Sequence, residues 1–193
     1  MRQEQELRIW DSSLEVRGED SQHPTLSGRA VAYDVEFPVY DWFGAYTEVW
    51  RSGATSKAAD DDVVLLVDHR GLPLARTTSG TLELREQSDG LYVSADLDGR
   101  DPDVARLVPK LRRGDMSAMS VGFRVVEELW SEDRTFRQIM SAELFDVAVV
   151  TRPANPDTAA SVASERQSYF EVQRADDDLW RRLVGEAARS VVY

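Results

Sequence analysis

Between Leu26 and Val150 the chain is written almost wholly in strand patterns, and a single capped helix interrupts them. Gly28 to Tyr33 reads as a strand. Val63-Val64-Leu65-Leu66-Val67 is a short continuous apolar run, the pattern of a strand buried on both faces. Thr81 to Arg85 and Leu91 to Leu97 alternate in polarity, and Asp89-Gly90 offers a turn between them. Val121 to Leu129 and Phe136 to Met140 form a second hairpin pattern that turns near Ser131-Glu132-Asp133, and Ala142 to Thr151 closes the β-rich part. In the helix, Asp101 is the N-cap, Pro102 takes the first helical position, and Val104, Leu107, Val108 and Leu111 recur at helical spacing before Gly114 ends it. Pro109 should kink or shorten it. Such a chain folds as strands packed around an apolar core, with helix in a minor share.

The flanks are less patterned. Residues 1–25 alternate weakly at Leu7, Ile9, Leu14 and Val16, which suggests an edge strand or hairpin and then a loop. Residues 158–168 are small and polar and read as a linker. The stripe Leu179, Trp180, Leu183, Val184, Ala187, Ala188 and Val191 then marks an amphipathic helix. The expected division is a domain over 1–157, followed by a linker and C-terminal helix over 158–193.

Charge narrows the partners. Lys and Arg number 23 against 35 Asp and Glu, a net charge of −12. Phosphate backbones and anionic membranes both select cationic surfaces, so neither nucleic acid nor membrane is an expected partner. With no cysteine, disulfides, thiolate metal sites and a cysteine nucleophile are excluded. No apolar run approaches the roughly 18 residues that span a bilayer, and the charged start from Met1 to Glu6 lacks a secretory apolar segment. A cytoplasm-like compartment is expected.

Phosphate-binding glycine loops, the H-E-x-x-H zinc motif and the G-x-S-x-G elbow are all missing. Asp96 to Asp101 resembles a calcium loop only superficially, because glycine falls at the wrong position. With two histidines, a multi-histidine zinc site is not expected, and no cofactor is implied. Three polar positions stand out in apolar settings. His69 follows the run 63–67, at the mouth of a core strand. Ser120 lies among small residues between the Gly114 helix stop and a strand. Asp146 sits inside Leu144 to Val150, where a carboxylate must be paired or protonated. Spacing alone favours the plain readings: a strand-end histidine, a tight turn and a paired buried acid. Together, a base, a hydroxyl and a buried acid also make a serine-hydrolase set.

Five segments in order add to this. Leu26 to Tyr33 looks like an opening strand. Tyr46 to Ala54 resembles E-x-I-x-P-G-A-F, and Leu65 to His69 with Pro73-Leu74-Ala75 resembles L-x-x-H-D … P-L-G. Arg113 to Phe123 resembles G-D-(x)3-M-S-F-G-F, and Glu143 to Pro156 resembles L-x-E-V-S-x-V-T-x-P-A-x-P. On these residues the chain resembles the prohead (procapsid maturation) proteases of HK97-type tailed phages, which share a fold with herpesvirus assemblins. The likeness runs from about Leu26 to Thr158. It departs from the family pattern at Arg70, Ala75, Val121 and Ala148.

The resemblance implies an α+β fold, a mainly antiparallel β-barrel core with a few flanking helices. It implies a serine endopeptidase that cleaves scaffold or capsid-protein extensions, and itself, during head maturation. His69 matches the catalytic histidine, Ser120 the nucleophile and Asp146 the acidic position of the last motif. Assemblins use a second histidine as third member, and His23, the only other one here, lies outside the matching region. Implied partners are the major capsid protein and scaffold polypeptide as substrates, with homo-oligomers a further option. The implied place is the assembling procapsid in a host cytoplasm, or the cytoplasm of a bacterium carrying a prophage. The alternative is a catalytically inactive relative acting as a capsid scaffold or interaction protein.

Overall fold

A computed structural model describes residues 5–18, 22–41 and 44–151. The strands are β1 (Glu6–Asp11), β2 (Glu15–Arg17), β3 (Thr25–Ala32), β4 (Phe37–Asp41), β5 (Gly44–Trp50), β6 (Val64–Val67), β7 (Arg70–Arg76), β8 (Leu82–Gln87) and β9 (Gly90–Asp96). Helix α1 (Pro102–Arg113) follows, and then β10 (Ala118–Trp130) and β11 (Phe136–Val150). They make two sheets. One runs β1-β10-β11-β5-β4, with β6 and β7 added beside β11; the other runs β2-β3-β9-β8. Among the described residues neither order closes on itself, so the architecture is mostly β-sheet with one helix, and the expected closed barrel is not found.

The core lies between the sheets. Alternation sends Met119, Val121 and Phe123 of β10, and Val147 and Val149 of β11, into one cluster with Leu26, Val31, Leu91, Val93 and the helix residues Val104 and Leu107. Trp50 packs edge-on against Phe123 and Trp10, with ring centroids 4.6 and 5.4 Å apart. The helix is built as its caps dictate. Asp101 accepts from the Asp103 N–H, Gly114 adopts the left-handed conformation (φ 76°), and the helix runs through Pro109 to Arg113 rather than stopping short.

Other expectations shift. The turn between β8 and β9 is Ser88-Asp89, because Gln87 pairs with Gly90. A Cβ on Gly90 would collide with the Val31 carbonyl, so this glycine serves close approach to β3 rather than the turn. The run 63–67 is buried mainly on one face: Val63 and Leu65 are fully buried while Val64 and Leu66 are half-buried. The weak N-terminal alternation resolves into β1 and β2, edge strands of different sheets. The linker and helix expected over 158–193 lie outside the described residues.

Strand β11 organises the rest. One edge pairs with β10 along most of its length. The other edge pairs in parallel with β5 through 136–139 and then with β6 through 146–149. Residues between β5 and β6 bridge the gap, with the Ala142 N–H donating to the Ala54 carbonyl and the Leu144 N–H to Asp61 Oδ2. This arrangement delivers the end of β6 beside residues 146–149.

Candidate active site

The face of the larger sheet opposite the core carries Ala118, Ser120 and Gly122 of β10 beside Val150, Ala148 and Asp146 of β11. Ser120 pairs with Ala148 and Gly122 with Asp146, so all share one face. Strand β6 lies on the far side of β11, with Val67 beside Val149. Val67 then pairs with Arg70, which leaves Asp68 and His69 as a two-residue hairpin turn. Both have positive φ, 49° and 56°, the geometry of the tight turn that suits the twist between adjacent strands. A β-carbon residue in this region is uncommon, and such strain collects at functional sites. Here it turns the imidazole back over the sheet.

The three singled-out residues meet there. His69 Nε2 lies 2.6 Å from Ser120 Oγ, and His69 Nδ1 is hydrogen-bonded to Asp146 Oδ1. With Nδ1–H donating to the carboxylate, Nε2 is left to accept the serine hydroxyl proton. The set is well shielded. Ser120 is 0% exposed, and the side chains of His69 and Asp146 are 7% and 10% exposed. In this form Oγ has no open surface, so any acyl donor has to displace what covers it.

The remaining carboxylate oxygen, Asp146 Oδ2, accepts from Gln5 Nε2 at 3.3 Å. Both groups pass over Gly122. A Cβ there would overlap the carboxylate and come within 2.8 Å of Gln5 Nε2. The glycine of the M-S-x-G-F segment is therefore a space requirement. Gln5 had no sequence signal, because it lies in an unpatterned charged start. His23 lies in the loop before β3 and takes no part in the set. The N–H groups of Val121 and Gly122, which lie next to the Ser120 hydroxyl in sequence, sit in a strand paired on both sides. A groove of about 900 Å³ lined by Ser12, Gly28, Arg29, Tyr92, Ser94 and Ser117 contains none of the three residues.

On the other face of β1 lies a buried ion cluster. Arg8 makes two 2.8 Å bonds to Glu48, which is fully buried, and Arg137 donates to the same carboxylate at 3.0 Å. Glu6 accepts from both arginines, and Glu128 from Arg137. Burial alone would raise the Glu6 carboxyl, but the Arg137 bond and the two guanidinium charges outweigh it and hold it below its ordinary value. Burial pushes the Tyr46 phenol, within the cluster, up to about 12.

Residues 12–173 match the family described as caudovirus prohead serine protease. The prohead protease of Escherichia phage T5 is 26% identical over 123 residues, which cover 62% of this chain and 55% of that protein. The chain thus matches little more than half the length of that relative. The fold is similar to the capsid assembly protease of bacteriophage T4, with a TM-score of 0.53 at 10% identity, over 79% of this chain and all of that one. The family match spans most of the sequence, and the chain belongs to the caudovirus prohead serine proteases.

Proposed function

We propose that this chain is a serine endopeptidase of phage head maturation, with Ser120 as nucleophile, His69 as general base and Asp146 as the acid that orients it. The observation that carries the proposal is the hydrogen-bonded order Asp146–His69–Ser120, built from three separate strand regions. Ser120 Oγ attacks the scissile carbonyl while His69 Nε2 takes its proton. The acyl-enzyme forms as that proton passes to the leaving amine, and water then releases the acid by the reverse relay. The substrates on this reading are extensions of capsid or scaffold polypeptides, and the chain itself, in an assembling procapsid in the host cytoplasm. Self-association, and self-cleavage in the small polar segment 158–168, belong to the same proposal.

The burial of Ser120 favours one other reading, an inactive relative that serves as a capsid scaffold or interaction protein. Co-expression with the neighbouring capsid and scaffold proteins, followed by mass spectrometry of fragments, separates the two. Cleavage that is lost in Ser120→Ala and kept in Ser117→Ala supports the protease. Ser117 precedes β10 and lines the groove away from His69, so it is the matched control. Uncleaved partners with the intact chain, and no fluorophosphonate adduct at Ser120, favour the scaffold.

A further inference from the structure

We infer that Gln5 is a positioning residue for the acid of this site, and that β1 is the element that holds it there. The inference rests on the triad reading above. Asp146 has two oxygens and His69 occupies one. Left alone, the other would let the carboxylate rotate about its terminal bond, a broad and weakly restrained torsion. Gln5 Nε2 donates to that second oxygen, and the missing Cβ of Gly122 leaves the room for it to do so. An amide suits this role because it donates without adding charge. It holds the second carboxylate oxygen while leaving the imidazole as the partner that takes up charge in the reaction.

The placement of Gln5 is not left to a loose end of chain. The next residue opens β1, which pairs with β10 from Glu6↔Phe123 to Asp11↔Ala118, so Ile9 lies directly opposite Ser120. Alternation divides the strand. Leu7 and Ile9 share the face of Ser120 and Gly122, with Gln5 just beyond them. Glu6 and Arg8 turn to the other face and lock into Glu48 and Arg137. A slip of one residue would bury Gln5 and Leu7 in the ion cluster, so the cluster fixes the register that carries Gln5 to Asp146. Residues 5–11 also lie before the segment matched to the family, which begins at residue 12. The structure thus assigns a role to a part of the chain outside that match.

The test uses the full chain with Gln5→Glu and Gln5→Ala. Gln5→Glu keeps the shape and places a carboxylate against Asp146; Gln5→Ala only removes the donor. Gln5 is exposed and its bond is long, so neither change should shift the melting temperature appreciably. The rate of Ser120 labelling by a fluorophosphonate should fall about threefold to tenfold in Gln5→Ala and by tenfold or more in Gln5→Glu, with Gln5→Asn partly restored. Nitrogen NMR of the His69 ring, in a His23→Gln background, reads the imidazole without any reaction. The Nδ1 signal should shift in the order Glu, Ala, Asn. Equal labelling and unchanged ring shifts in Gln5→Glu would overturn the role of Gln5 while the triad stands. Labelling that survives Ser120→Ala, or a ring with Nδ1 unprotonated in the wild type, would instead overturn the triad reading and this inference with it.

Discussion

Replacing Gly122 with alanine adds one methyl group, and the structure says where it must go. The new Cβ would stand 3.0 Å from Asp146 Cγ and 2.8 Å from Gln5 Nε2, against the 3.4 Å at which ordinary contact begins. The carboxylate therefore retreats by at least the difference, a few tenths of an ångström at Cγ and more at the oxygen that faces the methyl. That oxygen and the one bound to His69 belong to one rigid group, so the imidazole loses its alignment with Ser120 Oγ. Misplacement by about 1 Å costs on the order of 100-fold in rate, and a fraction of that about tenfold. The labelling rate at Ser120, and cleavage of co-expressed partners, should drop by about 10- to 100-fold. Stability should change far less. Gly122 has no positive φ, so alanine can adopt its backbone. The entropy removed from the unfolded chain, about 0.4–1 kcal/mol, offsets part of an overpacking penalty of about 1–3 kcal/mol. Thermal denaturation beside the rate measurement distinguishes lost alignment from lost fold. A Gly122→Ala protein that labels within about twofold of the wild type would refute the reasoning, because the carboxylate would then not need its present place.

His69→Ala should be as damaging as Ser120→Ala, and the double variant no worse than either, since groups that act as a unit do not add their losses; independent, multiplying losses in cleavage assays would break up the set. Glu48→Ala leaves Arg8 and Arg137 short of their central buried partner and should cost about 3–5 kcal/mol in urea unfolding, with a loss under 1 kcal/mol counting against the cluster as a clamp. Because the Glu6 carboxyl is held below its ordinary value of 4.5, its contribution to stability is complete above that pH and disappears as the pH falls through the lower folded value. Melting temperature should therefore decline in acid below about pH 4.5, less steeply in Glu6→Gln. The Tyr46 and Tyr33 phenols are pushed upward, chiefly by burial, so the stability they confer is present below their ordinary value of 10.0 and is lost as pH rises above it. Tyr46→Phe should flatten the melting curve between pH 10 and 12.

The strands and the helix were legible where their residues answer to local rules. Asp101, Pro102 and Gly114 mark the ends of α1 through chemistry that acts within a turn. The β10–β11 hairpin shows in its alternation. Strands β4 and β7 carry Pro38 and Pro73, which blunt a strand pattern, and they are edges that tolerate the missing donor. The parallel pairing of β11 with β5 and then β6 has no local mark at all. It depends on a bridge of residues 51–63 whose hydrogen bonds reach across more than 80 positions. Closure of a barrel was implied by resemblance alone, and the pairings among the described residues leave both sheets open.

The site was legible in a different way. Asp146 was conspicuous because it is a polar group where the strand pattern demands an apolar one, and such a group needs a partner. Ser120 stood out only as a hydroxyl among small residues after the helix stop, where spacing favoured a tight turn, and the structure instead puts it inside β10. His69 was conspicuous because it ends an apolar run. Nothing in the spacing joined them; what joins them is a register and a turn. The pairing Gly122↔Asp146 sets the acid one step diagonally from Ser120, and the paired positive φ values at Asp68 and His69 swing the base between them. The requirement on Gly122 is invisible in sequence for the same reason, since it concerns a carboxylate on a neighbouring strand and an amide from the chain's first residues. Glu48 shows the converse. In sequence it is one more acid in a chain with 35 of them, yet its full burial between two arginines makes it the anchor of β1. The strand that it anchors covers the edge of β10 opposite β11, and with that edge covered Ser120 sits on a central strand rather than at a fraying margin. A nucleophile with only one side-chain torsion and a backbone paired on both sides keeps its Oγ within hydrogen-bonding reach of the imidazole, which is the geometric condition that proton transfer to His69 requires.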